Sequence, residues 1–249
     1  MNSNKKYAFF LFLVIILSLG ACDNSKNSED KPHEKEIIKN EEPFLPTIEQ
    51  KMIEQGLINI QEIDSSIHVE LKYSTTDNFF GEDVYDDMTQ AYLQPKTAQM
   101  LALSNKILKD KYPNYRLLVY DAARPLSIQE VLWQKLDSIP PKKRSDFVAD
   151  PAKGSIHNFG CAVDLTIVNI TTNKPLDMGT KYDYFGYLAY PRKEAEMLAT
   201  GQLTTLQVEN RHILRDVMVA SGFMPITSEW WHFNAKSRED AKRIYKIIR

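Results

Sequence analysis

Cysteine is scarce: two residues in 249, at positions 22 and 161, which excludes a disulfide-rich scaffold. Neither sign of charge predominates. With 31 Lys and Arg against 33 Asp and Glu the net charge is −2, so no basic field points to nucleic acid. No internal repeat is visible, and no apolar run reaches the ~20 residues of a comfortable membrane span. What remains is 43% hydrophobic residues in a chain long enough for one domain of ordinary size plus extensions.

The longest apolar run, Tyr7 to Leu19, follows Lys5 and Lys6 and has the make-up of an export leader. It runs into Leu19-Gly20-Ala21-Cys22, which resembles the bacterial lipobox, where small residues precede a cysteine that is lipidated. Residues 1–21 are therefore expected to be a lipoprotein signal peptide, and Cys22 the lipid-bearing new N-terminus. An uncleaved anchor helix is the alternative, and under either reading the folded part is exported and held at the cell envelope. Residues 22–42 are expected to form a flexible tether, with only Ile37 and Ile38 to bury, too little to offset the entropy of ordering. His33 falls there and is expected to be a solvated linker side chain rather than a ligand. If Cys22 carries lipid, Cys161 has no partner, and its apolar neighbours make it a small buried side chain.

The folded domain is expected over residues 43–249. Helical spacing predicts helices over Thr47–Leu57, Pro95–Asp110, Ser127–Leu136, a stretch around Leu206–Met218 stopped by Ser221-Gly222, and Arg238–Ile248. β-Branched runs predict strands at Ile58–Ile63, Ile67–Tyr73, Arg116–Tyr120, Leu165–Asn169, Phe223–Ile226 and Trp230–Phe233. Pro140–Lys153 reads as a polar connection, and His68 and His212 as side chains with no catalytic task. Runs of strands with helices at either end imply an α+β fold, a mostly antiparallel central sheet flanked by helices.

Two stretches carry the chemistry. His157 and Asp164 lie on either side of Asn158-Phe159-Gly160, just before the apolar run Leu165 to Val168. An odd separation along a strand sends side chains to opposite faces, so both reach one point only if the chain kinks, and the glycine allows that. Glu229 and His232 interrupt an otherwise apolar strand with Trp230 and Trp231 between them. Burying such groups without partners costs roughly 2–7 kcal/mol for a neutral group and more for a charge, and a bound metal would offset that cost. A histidine satisfied by a carboxylate in the core is the alternative. Two imidazoles and a carboxylate are a common ligand set for catalytic zinc. On that reading His157, Asp164 and His232 hold one zinc per chain and Glu229 is the general base. Arg124, fixed by Pro125 at the end of a strand, is the candidate cation for charge building on a carbonyl oxygen, its alternative being a surface turn.

Ser-x-His-x-x-Gly-x-Ala-x-Asp (Ser155 to Asp164) and Glu-x-x-His (Glu229 to His232) resemble the LAS zinc metallopeptidases, which include D-alanyl-D-alanine dipeptidases and carboxypeptidases. Leu71-Lys72-Tyr73 with Asn78-Phe79, Asp121-x-x-Arg124-Pro125, Asp177-Met178-Gly179-Thr180-x-Tyr182-Asp183 and Ser228-Glu229-Trp230-Trp231-His232 look like the VanX-type dipeptidase branch. The likeness implies zinc at His157, Asp164 and His232, Glu229 as base, and Arg124 stabilising the transition state. It further implies that Ser155 and Asp183 hold the termini of a small dipeptide, Asp183 on the ammonium side, with Tyr73 in the pocket. Ala122-Ala123 stands where that branch usually has Gly-Tyr, so one wall is expected to be more open. Tyr85 is imperfectly spaced from Asn78-Phe79 for the tyrosine expected there.

Three readings follow. One is a lipoprotein dipeptidase splitting D-Ala-D-Ala outside the cytoplasm; a second is a related carboxypeptidase or endopeptidase on longer wall peptides. The third is a metal-bearing binding protein without catalysis. An anion in the Asp177–Asp183 loop separates the first two, since it favours a free N-terminus, and Glu229 with Arg124 argues against the third.

Overall fold

A computed structural model describes residues 47–249 except 87 and 146. The expected leader at 1–21, lipidated Cys22, tether at 22–42 and His33 lie outside the described residues, as does the start of the domain at Pro43.

Helix α1 (Ile48–Glu54) opens on Thr47 and Gln50, whose side chains each accept the other's backbone N–H. The strand expected over Ile58–Ile63 is only β1 (Ile58–Asn59), followed by a helical turn α2 (Ile60–Ile63). The reason is local: Asn59 Oδ1 accepts the Gln61 N–H and caps the turn, while Ile60 is buried beneath it. Next come β2 (His68–Val69), a 3-10 turn at Lys72–Ser74, β3 (Tyr92–Leu93) and α3 (Pro95–Lys111). Pro95 occupies the first turn of α3, where its missing N–H costs nothing. Then follow β4 (Tyr115–Asp121), α4 (Leu126–Gln134) and α5 (Pro141–Arg144), the last a single turn inside the expected polar connection. The rest is β5 (Ala162–Asn169), β6 (Lys174–Pro175), α6 (Glu194–Ala199), α7 (Thr205–Ala220), β7 (Met224–Pro225), β8 (His232–Asn234) and α8 (Arg238–Ile244).

The main sheet runs β2-β4-β5-β8-β7, with β6 paired to β5; among the described strands only β2 and β4 are parallel, and β1 pairs with β3 apart from it. The fold is α+β with a mostly antiparallel sheet. Strand alternation divides β4 and β5 between two apolar clusters. Leu117, Val119, Val163, Leu165 and Ile167 join the large core with Leu101 and Leu108 of α3 and Leu214 and Val217 of α7. Each such side chain contributes about 1.5–3 kcal/mol on burial. Leu118, Tyr120 and Val168 form a smaller cluster of their own with Tyr182. Asp164 and Thr166 alternate with the core-facing residues and so share the Tyr182 side. Asp164 pairs directly with His232 of β8 and, across a register shift after Val119, with Asp121 of β4. Three polar side chains therefore stand in a row across three adjacent strands, at one end of the sheet.

Candidate metal centre

His157 reaches the end of that row from a 3-10 turn, Ile156–Phe159, rather than from a strand. Ser155 caps the turn, its Oγ accepting the His157 N–H at 3.3 Å, and Gly160 closes it in the left-handed region with φ 64°. A side chain at 160 would also meet Leu57 at 3.0 Å and the Gln94 backbone at 3.2 Å, so the kink needs glycine twice over. Then β5 begins and Asp164 follows.

The three groups converge. His157 Nε2 lies 3.2 Å from His232 Nδ1 and 3.4 Å from Asp164 Oδ1, and His232 Nδ1 lies 2.9 Å from Asp164 Oδ1. Ligands bound at about 2.0–2.1 Å in a tetrahedron stand roughly 3.3 Å apart, so the triangle has the size of a zinc site. All three residues are buried.

The far side of each group is tied down. His157 Nδ1 donates to the Ala122 carbonyl at 2.6 Å, leaving Nε2 as the lone-pair nitrogen. His232 Nε2 donates to Asn234 Oδ1 at 2.9 Å, which leaves Nδ1 facing the cluster. Tyr182 donates to Asp164 Oδ2 at 3.0 Å. Partners of this kind fix ring tautomers and orient metal ligands. Burial works against the Asp164 carboxylate, yet the two imidazoles hold it well below the usual range. Burial also opposes a charged His232, but Asp164 and Glu229 lift it to about 9. By themselves the three side chains thus keep a proton, which a cation taking their place would displace.

Around the cluster opens a cavity of about 710 Å³ whose lining includes Tyr73, Arg124, Ser155, Asp183 and Glu229. Glu229 sits on the loop before β8 with Oε2 3.8 Å from His232 Nδ1, its side chain 34% exposed. Its burial against the cavity floor raises its pKa above that of an ordinary glutamate. Arg124 is buried and held from two sides. Its Nε and Nη2 donate to Asp121 Oδ2, its Nη1 to Gln129 Oε1 at 2.9 Å, and its Cζ lies over the Tyr73 ring, 5.1 Å from the centre. Asp121 in turn accepts the Tyr85 hydroxyl at 2.6 Å. Arg124 Nη2 stands 3.9 Å from Asp164 Oδ2, so the cation faces the cluster rather than solvent. Asp183 adopts φ 55°, a left-handed backbone that aspartate tolerates, and accepts the Tyr73 hydroxyl at 2.9 Å. Burial, with Asp164 nearby, pushes its carboxyl well above the usual range. Among the described residues no lysine or arginine pairs with it.

Every described residue expected to hold metal, bind substrate or act in catalysis lies at this one place. The site also holds groups to which the sequence assigns no role: Gln129, Asn234, the Ala122 carbonyl and Tyr182, which stands in a motif without a task. Tyr85 follows Asn78-Phe79 at an imperfect spacing, but it is wholly buried and supports Arg124 through Asp121. The open wall expected at Ala122-Ala123 is not there. Both alanines are wholly buried in the large core, Ala122 turning its carbonyl to His157 and Ala123 its N–H to Tyr92. Small side chains let the backbone pass between core and site. His68 lies in β2, and His212 is 53% exposed on α7 beside Glu194, both away from the cluster. Cys161 is buried, and burial pushes its thiol up to about 11, which removes it as a nucleophile.

A family model described as D-ala-D-ala dipeptidase, of the M15 peptidases, matches residues 53–248. A D-alanyl-D-alanine dipeptidase of Escherichia coli K12 is 31% identical over 177 residues, covering 71% of this chain and 83% of that protein. Dipeptidases of the same name from Enterococcus faecalis and Enterococcus faecium are 28% and 27% identical, each match covering 73% of this chain and 92% of theirs.

Proposed function

The chain belongs to the D-ala-D-ala dipeptidase family of M15 peptidases, and from that premise we propose that it splits free D-alanyl-D-alanine into two D-alanines with one zinc per chain, in cell-wall peptide metabolism. The observation that carries the reading is the triangle of His157, Asp164 and His232, each member oriented from behind by a partner that leaves one donor atom facing inward.

Zinc bound there would supply a Lewis acid for the scissile carbonyl and lower the pKa of water to about 7. The remaining work belongs to side chains. Glu229 takes the proton of the attacking water and delivers it to the departing amine as the C–N bond breaks, general acid–base work typically contributing 10²–10⁴-fold. Arg124, already positioned by Asp121 and Gln129, stabilises the negative charge on the carbonyl oxygen without having to reorganise. Asp183, half-buried and without a cationic partner among the described residues, receives the substrate's ammonium, whose charge favours the ionised carboxyl, with the Tyr73 hydroxyl beside it. Ser155 uses its oxygen to cap the His157 turn, which leaves its O–H to donate to the substrate's carboxylate.

The cavity is roomier than a two-residue ligand needs, and this one observation favours the reading as a carboxypeptidase or endopeptidase on longer peptides. Asp183 opposes it, because a peptide bond in place of the ammonium leaves that half-buried carboxyl without a cationic partner. The purified protein is expected to release D-alanine from D-Ala-D-Ala and to process N-acetyl-D-Ala-D-Ala on the order of 10²-fold more slowly in kcat/KM. Equal rates on the two would rule the dipeptidase reading out.

Attachment to the cell envelope through lipid on Cys22 completes the proposal, supported by the lysines, apolar run and small residues that precede it. In cells the wild type should fractionate with membranes and Cys22→Ala should not; a Cys22→Ala protein that stays with membranes would leave the uncleaved anchor helix.

A further inference from the structure

Between Asp177 and Tyr187 the chain forms no strand or helix, yet it carries Asp183 in a left-handed conformation at the cavity. α7 holds this segment from behind. Gln207 Nε2 donates to Asp177 Oδ2 at 2.8 Å and Asn210 Nδ2 to the Asp177 carbonyl at 2.9 Å. Arg211 does more. Its Nε donates to the Met178 carbonyl at 2.7 Å and its Nη2 to the Leu188 carbonyl at 2.8 Å, so one guanidinium joins the two ends of the loop. The fit is close: a side chain at Gly179, φ 81°, would come within 2.4 Å of Leu203.

Arg211 is 1% exposed and does not line the cavity. Among the described residues its Nη1 makes no hydrogen bond, standing 3.6 Å from Glu194 Oε1, while Glu194 takes its hydrogen bond from Arg215 at 2.6 Å. Burying a cation on these terms costs several kcal/mol of desolvation. Two carbonyls held by a rigid fork are what that cost secures, and a single ammonium nitrogen does not span them. Trp230 extends the brace, its Nε1 donating to Thr180 Oγ1 at 2.7 Å from beside Glu229.

We propose that Arg211 is a positioning residue that sets Asp183 at the place where the substrate's ammonium binds. The inference rests on the reading of Asp183 given above. Because Asp183 holds the ammonium equally in ground and transition states, loosening its loop weakens binding and leaves the chemical step alone.

The test is Arg211→Lys, which keeps the charge and loses the fork. KM for D-Ala-D-Ala should rise about tenfold with kcat within about threefold of wild type and zinc at one per chain. The preference for the free over the N-acetylated dipeptide should fall by a similar factor. A lowered melting temperature with KM and preference unmoved would make Arg211 a stabilising residue only and overturn the proposal. Should Arg211→Lys fail to fold, Asn210→Ala decides: a KM raised about two- to threefold with reduced preference supports the brace, and an unchanged KM contradicts it. A wild type with no preference for the free N-terminus refutes the reading of Asp183 and this inference with it. A preference that is strong in wild type and intact in the variants refutes this inference alone.

Discussion

Replacing Glu229 with glutamine is expected to cut kcat by on the order of 10²–10⁴-fold while zinc stays at one per chain. Glutamine fills the same space and keeps hydrogen-bonding capacity, but it cannot accept a proton. Glu229 lies outside the triangle of ligands, 3.8 Å from His232 Nδ1, so its loss should leave the metal in place. KM should change little, because the carboxylate acts on water and on the leaving amine and holds no part of the resting dipeptide. The measurement is steady-state D-alanine release alongside metal analysis of the same preparation. A variant within tenfold of wild type would exclude Glu229 as the base, and one without zinc would place it among the ligands.

His232→Ala is expected to lose metal and activity together. Alanine removes one of three inward-facing donors and leaves His157 and Asp164 as a pair, too few to hold a catalytic zinc. It also abandons the Asp164 carboxylate, which His232 Nδ1 approaches to 2.9 Å, inside a buried site. The variant is therefore also expected to lose stability relative to zinc-loaded wild type, since zinc bound to the native state alone adds to folding free energy.

The sequence made the site legible through unlike means. Strand pairing explains Asp164 and His232, whose motifs sit on β5 and β8 at positions that pair directly, although neither stretch alone names its neighbour. His157 was legible because a glycine three residues on signals a kink, and the kink is there at φ 64°. The support around these groups was not legible. Asn234 acts through one amide oxygen and Ala122 through a carbonyl, and a backbone acceptor leaves no mark in residue type. Tyr85 and Arg211 act across long stretches of chain, Tyr85 through Asp121, so local spacing could not pair them with their targets. In the fold, long periodic elements such as α3 and α7 were clear. Ile58–Ile63 misled because its β-branched residues fit either state, and the Asn59 side chain decides by capping a helical turn. The Ala122-Ala123 wall misled for a different reason: substitution within a motif says nothing of whether those side chains face the cavity or the core.

Zinc per chain and D-alanine released from the free dipeptide should be measured together as chelated protein is refilled. Wild type is expected to take up one zinc and gain activity in proportion, while His232→Ala takes up none and stays inactive. Wild type that releases D-alanine at full rate with its metal stripped, or His232→Ala that fills and works like wild type, would rule out catalysis by a zinc held at His157, Asp164 and His232.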